Sequence, residues 1–253
     1  MKGQKRLLSF ARRACDDYNM ISPGDTVAVG LSGGKDSLAL LYTMAALRRF
    51  YPVPFTLIAV TIDMRFDEIG KSAADFGPIQ KLCRELDVEY HIEPSNIAKI
   101  VFDIRKESNP CSLCAKLRRG MLCDTAKKLG ANKIALGHHF DDAVQTFMLN
   151  LFYEGRLGCF SPVTYLDRSD VTVIRPFIYA QEKDLSYFTS NAELPVVESE
   201  CPANKKTERE EMKSLLVSLE RENKGLRHRI FGAMQKAGID GYKEAKLKEY
   251  DDE

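Results

Sequence analysis

Two groups of residues in this chain have types and spacings suited to chemistry. The first is Ser32-Gly33-Gly34-Lys35-Asp36-Ser37. Gly33 and Gly34 have no side chains, so the backbone there can adopt positive φ and come close to a ligand. Lys35 brings a full positive charge, and Ser32 and Ser37 bring hydroxyl donors. Together these groups hold phosphate oxygens, and Asp36 adds a carboxylate for magnesium or for fixing the loop. The second group is Cys111-Ser112-Leu113-Cys114, with a third cysteine far along the chain in Glu200-Cys201-Pro202. The C-x-x-C spacing lets two thiolates converge on one metal centre. A helix N-terminus and the nearby Lys116, Arg118 and Arg119 are expected to lower the thiol pKa values. By spacing alone the three cysteines read as a redox pair, an open zinc site, or an iron–sulfur cluster with one iron free for an exogenous ligand such as sulfide. Three packed cysteines are the plainer alternative.

The elements that must position these groups are legible around them. Val27 to Gly30 is an apolar strand running into the glycine loop, and Leu38, Leu40, Leu41, Met44 and Leu47 mark a helix leaving it. Strand, glycine loop and helix form a phosphate-binding arrangement, since the helix offers unpaired N–H groups and a partial positive charge. The loop is not a Walker A sequence. Three residues, not four, separate Gly30 from Gly34-Lys35, and Asp36 stands where that motif needs a hydroxyl. Phe55 to Ile62 reads as a strand buried on both faces, ending at Asp63. Pro78 opens a helix to about Leu86, and Val88 to Ile92 is a short strand. A helix from about Asn96 precedes a long one from Cys111 to Leu129, which Gly130 caps. Lys133 to Gly137 is a strand leading into His138-His139-Phe140-Asp141-Asp142 and a helix to about Tyr153. Val171 to Ile174 is a further strand, followed by Arg175-Pro176-Phe177.

This alternation predicts an α/β fold with a doubly wound parallel sheet. Ligands bind at the carboxyl ends of such strands, so the loops after Gly30, Ile62 and Gly137 should converge on one site. Asp142, and with it Asp141, can orient magnesium and pyrophosphate or cap the helix that they begin. Of His138 and His139 at most one faces the ligand, because adjacent side chains point different ways. Residues 1–22 read as an amphipathic basic helix, 23–200 as the nucleotide domain, and 201–253 as a helical segment with an acidic tail.

With 253 residues, 44% of them hydrophobic, the chain suits one large domain with appendages. No stretch approaches the ~20 apolar residues of a membrane span. The basic N-terminus lacks an apolar signal core, so no membrane association and a cytoplasmic location are expected. A net charge of +1 leaves nucleic-acid binding to local patches. Lys2, Lys5, Arg6, Arg12 and Arg13 form one, and Arg221, Lys224, Arg227, His228 and Arg229 another; each is otherwise a solvated helix face. Cys15, Cys83 and Cys123 fit buried positions, and Cys159 fits either role.

Ser32 to Ser37 resembles the PP-loop of the ATP-pyrophosphatase superfamily, whose members cleave ATP between the α and β phosphates and adenylate a carbonyl oxygen. In order with it come Cys111-Ser-Leu-Cys114-Ala-Lys-Leu-Arg118-Arg119-Gly120, Gly137-His-His139-Phe-Asp141-Asp142, Gln145-Thr146, Arg175-Pro176-Phe177 and Cys201. Over about residues 4 to 210 the chain is thus similar to the tRNA 2-thiocytidine synthetase family of PP-loop ATPases. The resemblance implies a Rossmann-like domain of the adenine nucleotide alpha hydrolase kind, with an N-terminal helix and a C-terminal helical segment. It implies ATP and Mg2+, and a [4Fe-4S] cluster on Cys111, Cys114 and Cys201. Ser32, Gly33, Gly34, Lys35, Asp36 and Ser37 would cradle the phosphates, with Asp63, Gly137 and Asp142 completing the nucleotide site. Lys35, Asp36, Arg118 and Asp142 would carry the catalysis. The implied partners are tRNA and a sulfur donor such as a cysteine desulfurase or free sulfide, and a homodimer is compatible with the amphipathic ends. The chain departs from well-known members after Cys201, where it reads Pro-Ala-Asn-Lys-Lys-Thr and not the glycine-containing Cys-Gly-Ser-Gln, and at Gln145, a glutamate in some relatives. A uridine or small-molecule target, or a zinc- or nucleotide-binding module, is the alternative reading.

Overall fold

Val27, Ala28 and Val29 have no solvent exposure, and the strand that holds them, β1 (Thr26–Gly30), lies at the middle of a six-stranded sheet. The computed structural model describes residues 3–106, 110–197, 201–202 and 208–244. Before β1 comes α1 (Gln4–Asp17). After it come α2 (Lys35–Arg48), β2 (Thr56–Asp63), α3 (Gly77–Glu85), β3 (Glu89–Pro94), α4 (Pro110–Lys128), β4 (Lys133–Ala135) and α5 (Phe140–Tyr153). A hairpin of β5 (Val163–Leu166) and β6 (Val171–Ile174) follows, then α6 (Glu182–Asn191), α7 (Glu208–Glu222) and α8 (Leu226–Lys236).

The sheet order is β3-β2-β1-β4-β6-β5. All neighbours pair in parallel except β5 with β6. The expected parallel sheet therefore carries one antiparallel edge strand, β5, which the sequence reading passed over. None of its four residues is fully buried and Tyr165 is exposed, so the strand lacks the continuous buried run that marks β2. A turn through Asp167–Asp170, with Asp170 at φ 51°, folds β5 back onto β6. The opposite edge, β3, carries Glu89, His91 and Glu93 and ends in Pro94.

Alternate residues of each strand feed two cores, which is what a sheet covered on both faces requires. Val27, Val29, Leu57, Ala59 and Ile174 pack with α1, α2, α5, α6, α7 and α8. Ala28, Ile58, Val60, Ile62, Ile134 and Val173 pack beneath α4 and a π-helical turn at Lys99–Arg105. The terminal segments share the first core through Leu7, Ala11 and Cys15 of α1, and through Met212, Leu216, Phe231 and Met234 of α7 and α8. Strand order reverses between β1 and β4, the switch point at which a crevice opens in doubly wound sheets. No helix among the described residues is long and apolar enough to cross a membrane.

Candidate functional site

The turn from β1 into α2 is built by its own hydroxyls. The Ser37 hydroxyl donates to the Gly34 carbonyl (2.8 Å) and accepts from the Ser32 N–H (3.2 Å), and the Gly34 N–H donates to Ser32 Oγ (3.3 Å). Gly33 sits at φ 82°, a region that costs a side chain dearly. Gly34, the N-cap of α2, offers no side-chain acceptor, so the first N–H groups of the helix remain available to an anion.

A cavity of about 350 Å³ opens at the carboxyl ends of β1, β2 and β4, within the size range of small-molecule sites. Ser32, Asp36 and Ser37 line it from the phosphate loop, Asp63 from the end of β2, and Gly137, His138 and Asp142 from the loop after β4. Cys114, Arg118 and Leu122 of α4 reach it from the other side, together with Val197 and Cys201. Met64, Phe66, Ala74 and Phe76 add an apolar wall that suits a base or ring. The fold thus brings together the two groups that the sequence separates. Gly33, Gly34 and Lys35 frame the loop without lining the cavity, and Cys111 lies one helical turn before Cys114, exposed.

Close approach explains Gly137. A Cβ there would lie 3.1 Å from the Asp36 carbonyl carbon and oxygen and 3.2 Å from the Ser37 nitrogen, all backbone atoms that cannot rotate away. Gly137→Ala is therefore expected to push the phosphate loop out of place. Overpacking of this kind costs about 1–3 kcal/mol, so both Tm and nucleotide affinity should fall, readable by scanning calorimetry and nucleotide titration.

The ammonium of Lys35 is held by Asp36 (2.8 Å) and Glu182 (3.3 Å). Burial works to lower its pKa, but the hydrogen bond and charge of Asp36 and those of Glu182 prevail, so the net shift is upward and the lysine stays charged. Glu182 in turn accepts from Lys213 on α7 (2.9 Å). Burial raises the Glu182 pKa, and the two lysines more than reverse that. Asp142 is shared as well. Its Oδ2 accepts from the His139 N–H (3.0 Å) and its Oδ1 from Arg209 Nη1 (3.0 Å). Asp141 turns away from the cavity, accepting from Arg227 (2.6 Å) and from the Glu182 N–H (2.7 Å). Arg209, Glu182 and Val197 were missed by sequence reasoning. Arg209 lies in a Glu-Arg-Glu-Glu run that reads as a solvated face, and Val197 meets the loop through a backbone bond to the Gly33 carbonyl (3.0 Å), which no side-chain pattern signals.

The two histidines separate cleanly. His139 caps α5, its Nδ1 accepting from the Asp142 N–H (3.4 Å), and it is structural. His138 lines the cavity beside Phe160 (ring centroids 5.0 Å apart), and its Nδ1 has no partner among the described residues. Burial, then the charges of Arg175 and Arg209, push its pKa from 6.5 down to about 4, so the imidazole is neutral near pH 7. Between these two values the unfolded chain takes a proton that the folded chain refuses, so stability falls as pH drops through that window. At 1.36 kcal/mol per pKa unit the loss approaches about 3 kcal/mol by pH 4. His138→Gln should flatten this acid limb in urea-melting profiles taken from pH 7 to pH 4.

Arg175 does not reach the cavity. It is buried, donates to the Ser161 carbonyl (2.5 Å), stacks over Phe160 (4.9 Å), and is pushed down to about 10 by burial. Cys15, Cys83 and Cys123 are buried as expected. Cys159 packs too, its thiol near the Ala143 carbonyl (3.4 Å) and raised to about 11 by burial.

Cys114 departs from expectation. Burial raises its pKa, and Cys201 and Cys111 add to the rise, against the opposing charge of Arg118. The nearby cations do not win here, because burial, helped by the neighbouring thiols, outweighs the charge of Arg118. Cys114 therefore lies within electrostatic reach of both Cys201 and Cys111. Among the described residues no three His, Cys, Asp or Glu side chains are drawn together as a finished metal-binding group. The donor set, three soft sulfurs with no carboxylate among them, fits a thiophilic iron–sulfur or zinc centre and not a hard cation.

Several members of the two basic patches are held from within. Arg6 pairs with Asp184 (3.3 Å), Arg12 with Asp16 (3.7 Å) and Arg13 with Asp17 (3.5 Å). Arg227 is held by Asp141, Arg229 by the Lys224 carbonyl and His228 by Gln181. Lys2 lies outside the described residues. Lys116, Arg118 and Arg119, on the turns of α4 next to the cavity, are exposed and have no ion pair among the described residues.

The profile of a PP-loop domain matches residues 5–220. Curated relatives named tRNA-cytidine(32) 2-sulfurtransferase include one from Geobacter sulfurreducens, 38% identical, covering 91% of this chain and 89% of the relative. Another, from Pseudomonas putida, is 39% identical over 92% of this chain and 84% of its own length. Among solved structures, a U34-tRNA thiolase from Methanococcus maripaludis with its [4Fe-4S] cluster superposes with a TM-score of 0.71 at 25% identity, covering 95% of this chain and 80% of the other. On its profile match and on these relatives, the chain belongs to the tRNA 2-thiocytidine synthetase family of PP-loop proteins.

Proposed function

We propose that this chain is an ATP-dependent tRNA sulfurtransferase that adenylates the C2 carbonyl oxygen of an anticodon-loop cytidine and exchanges it for sulfur. One observation carries the reading: Cys114, Arg118 and Cys201 line the same cavity as Ser32, Asp36, Ser37 and Asp142. A pyrimidine carbonyl oxygen is a poor leaving group, whereas AMP leaves readily, so activation and sulfur delivery must meet at one atom.

The phosphate loop would bind the triphosphate through the open N–H groups of α2, the Ser32 and Ser37 hydroxyls and Lys35. To do so Lys35 must exchange Asp36 and Glu182 for phosphate oxygens. Asp142, with Asp36, would take Mg2+ as hard oxygen ligands. Met64, Phe66 and Phe76 would exclude water around the adenine and the base. Arg118 would stabilise charge developing on the departing oxygen. His138, neutral and with Nδ1 unpaired, would hydrogen-bond the pyrimidine without adding charge. Cys111, Cys114 and Cys201 would hold a [4Fe-4S] cluster. When bound, that group supplies an iron coordination site for a sulfide obtained from a cysteine desulfurase or from solution. The tRNA would approach over α4, where Lys116 and Arg119 are exposed, and contact with its phosphates would weaken with salt.

The superposed thiolase acts on U34, and uridine is the second reading. Nucleoside analysis of tRNA from cells lacking this protein separates the two. Loss of 2-thiocytidine alone supports the proposal; loss of a 2-thiouridine, or no change, refutes it.

A further inference from the structure

Arg209 has a contact pattern that packing does not explain. Its side chain is 44% exposed, yet both ends of its fork are fixed, Nη1 on Asp142 Oδ1 (3.0 Å) and Nη2 on Thr146 Oγ1 (3.1 Å). Those partners are one turn apart at the start of α5, the end that faces the cavity. The base of the arginine cannot drift, because Met212 and Leu216, one and two turns further along α7, are buried in the core. Its charge is felt inside the cavity, at His138. One turn beyond it Lys213 grips Glu182, the carboxylate that holds Lys35. One face of α7 therefore touches both an acid of the metal position and the restraint on the phosphate-loop lysine.

We infer that Arg209 is a polyphosphate ligand, paired with Asp142 while the nucleotide is absent and carried onto the β- and γ-phosphates when a metal–nucleotide complex takes that carboxylate. The inference rests on the ATP reading of the cavity. A carboxylate oxygen that accepts a divalent cation cannot keep a guanidinium on the same atom, since like charges a few ångströms apart repel. The freed fork needs two anionic oxygens in a plane, and a phosphate offers them. No covalent step is involved; the arginine exchanges one anionic partner for another.

The test is isothermal titration of the full chain with Mg2+-ATP and, separately, with AMP, for the wild type, Arg209→Gln and Arg209→Lys. Losing one charge-assisted contact predicts that Arg209→Gln binds ATP about tenfold to a hundredfold more weakly. AMP, which lacks the β- and γ-phosphates, should bind within about twofold of wild type. Arg209→Lys, which keeps the charge and should fold even if Arg209→Gln does not, should fall between the two for ATP. Unchanged ATP binding in both variants, or an equal loss for ATP and AMP, would overturn the inference and leave Arg209 a docking contact between α7 and α5. A wild type that binds no ATP would instead overturn the nucleotide reading itself.

Discussion

Lys35→Ala is expected to lower ATP-dependent pyrophosphate release by about 10²–10³-fold, the scale of removing one charge-stabilising donor from an active site. Lys35 is the cation of the phosphate loop, and its pairing with Asp36 and Glu182 keeps it charged and ordered until phosphate arrives. Alanine should also release Glu182 to Lys213 alone, leaving the fold intact, because the lysine side chain is a third exposed and packs little apolar surface. Pyrophosphate release with unmodified tRNA, alongside a melting curve, checks this. Near-normal release in a folded variant would remove Lys35 from the chemistry. Arginine at the same position should rescue poorly, since a planar fork does not replace a compact ammonium in a glycine turn.

The second large effect concerns sulfur. Cys114→Ser and Cys201→Ser are each expected to abolish thiolated nucleoside while leaving ATP affinity within about twofold, because the hydroxyl is too weak a donor for a thiophilic centre and neither residue lies in the phosphate loop. Anaerobically purified wild type should absorb in the visible, and each variant should lose that band. Cys15→Ser, on the buried face of α1, should leave the band untouched while lowering Tm. A colourless, zinc-loaded wild type that thiolates tRNA would eliminate the cluster, though not the cysteine site.

How much was legible in advance follows from the range of the interactions. The phosphate loop could be read because strand, glycine turn and helix are contiguous, and β2 because six consecutive residues, Leu57 to Ile62, are buried. The convergence of Asp63, Gly137 and Asp142 followed from parallel topology. The cysteines could be paired with the loop only by resemblance, since Cys114 and Cys201 meet across 87 positions of chain. Cap geometry decided between His138 and His139, and cap geometry depends on which backbone N–H the ring faces. The ion pairs of Arg6 and Arg227 could not be read in advance, because their partners Asp184 and Asp141 are distant in sequence. Arg209 and Glu182 gave no signal at all, as charged residues on helices ordinarily meet water.

The two borders of the sheet have a consequence for how copies of this chain can meet. On one border Pro94 has no N–H to donate, and Glu89 and Glu93 set like charges along the strand. The other border is only four residues long, and its Tyr165 hydroxyl is tied back to Asp170 (2.9 Å). Such margins are poor templates for an incoming strand, which guards a nascent chain against cross-β growth. A strand-swapped or fibrillar assembly would therefore signal that one of these margins had come undone.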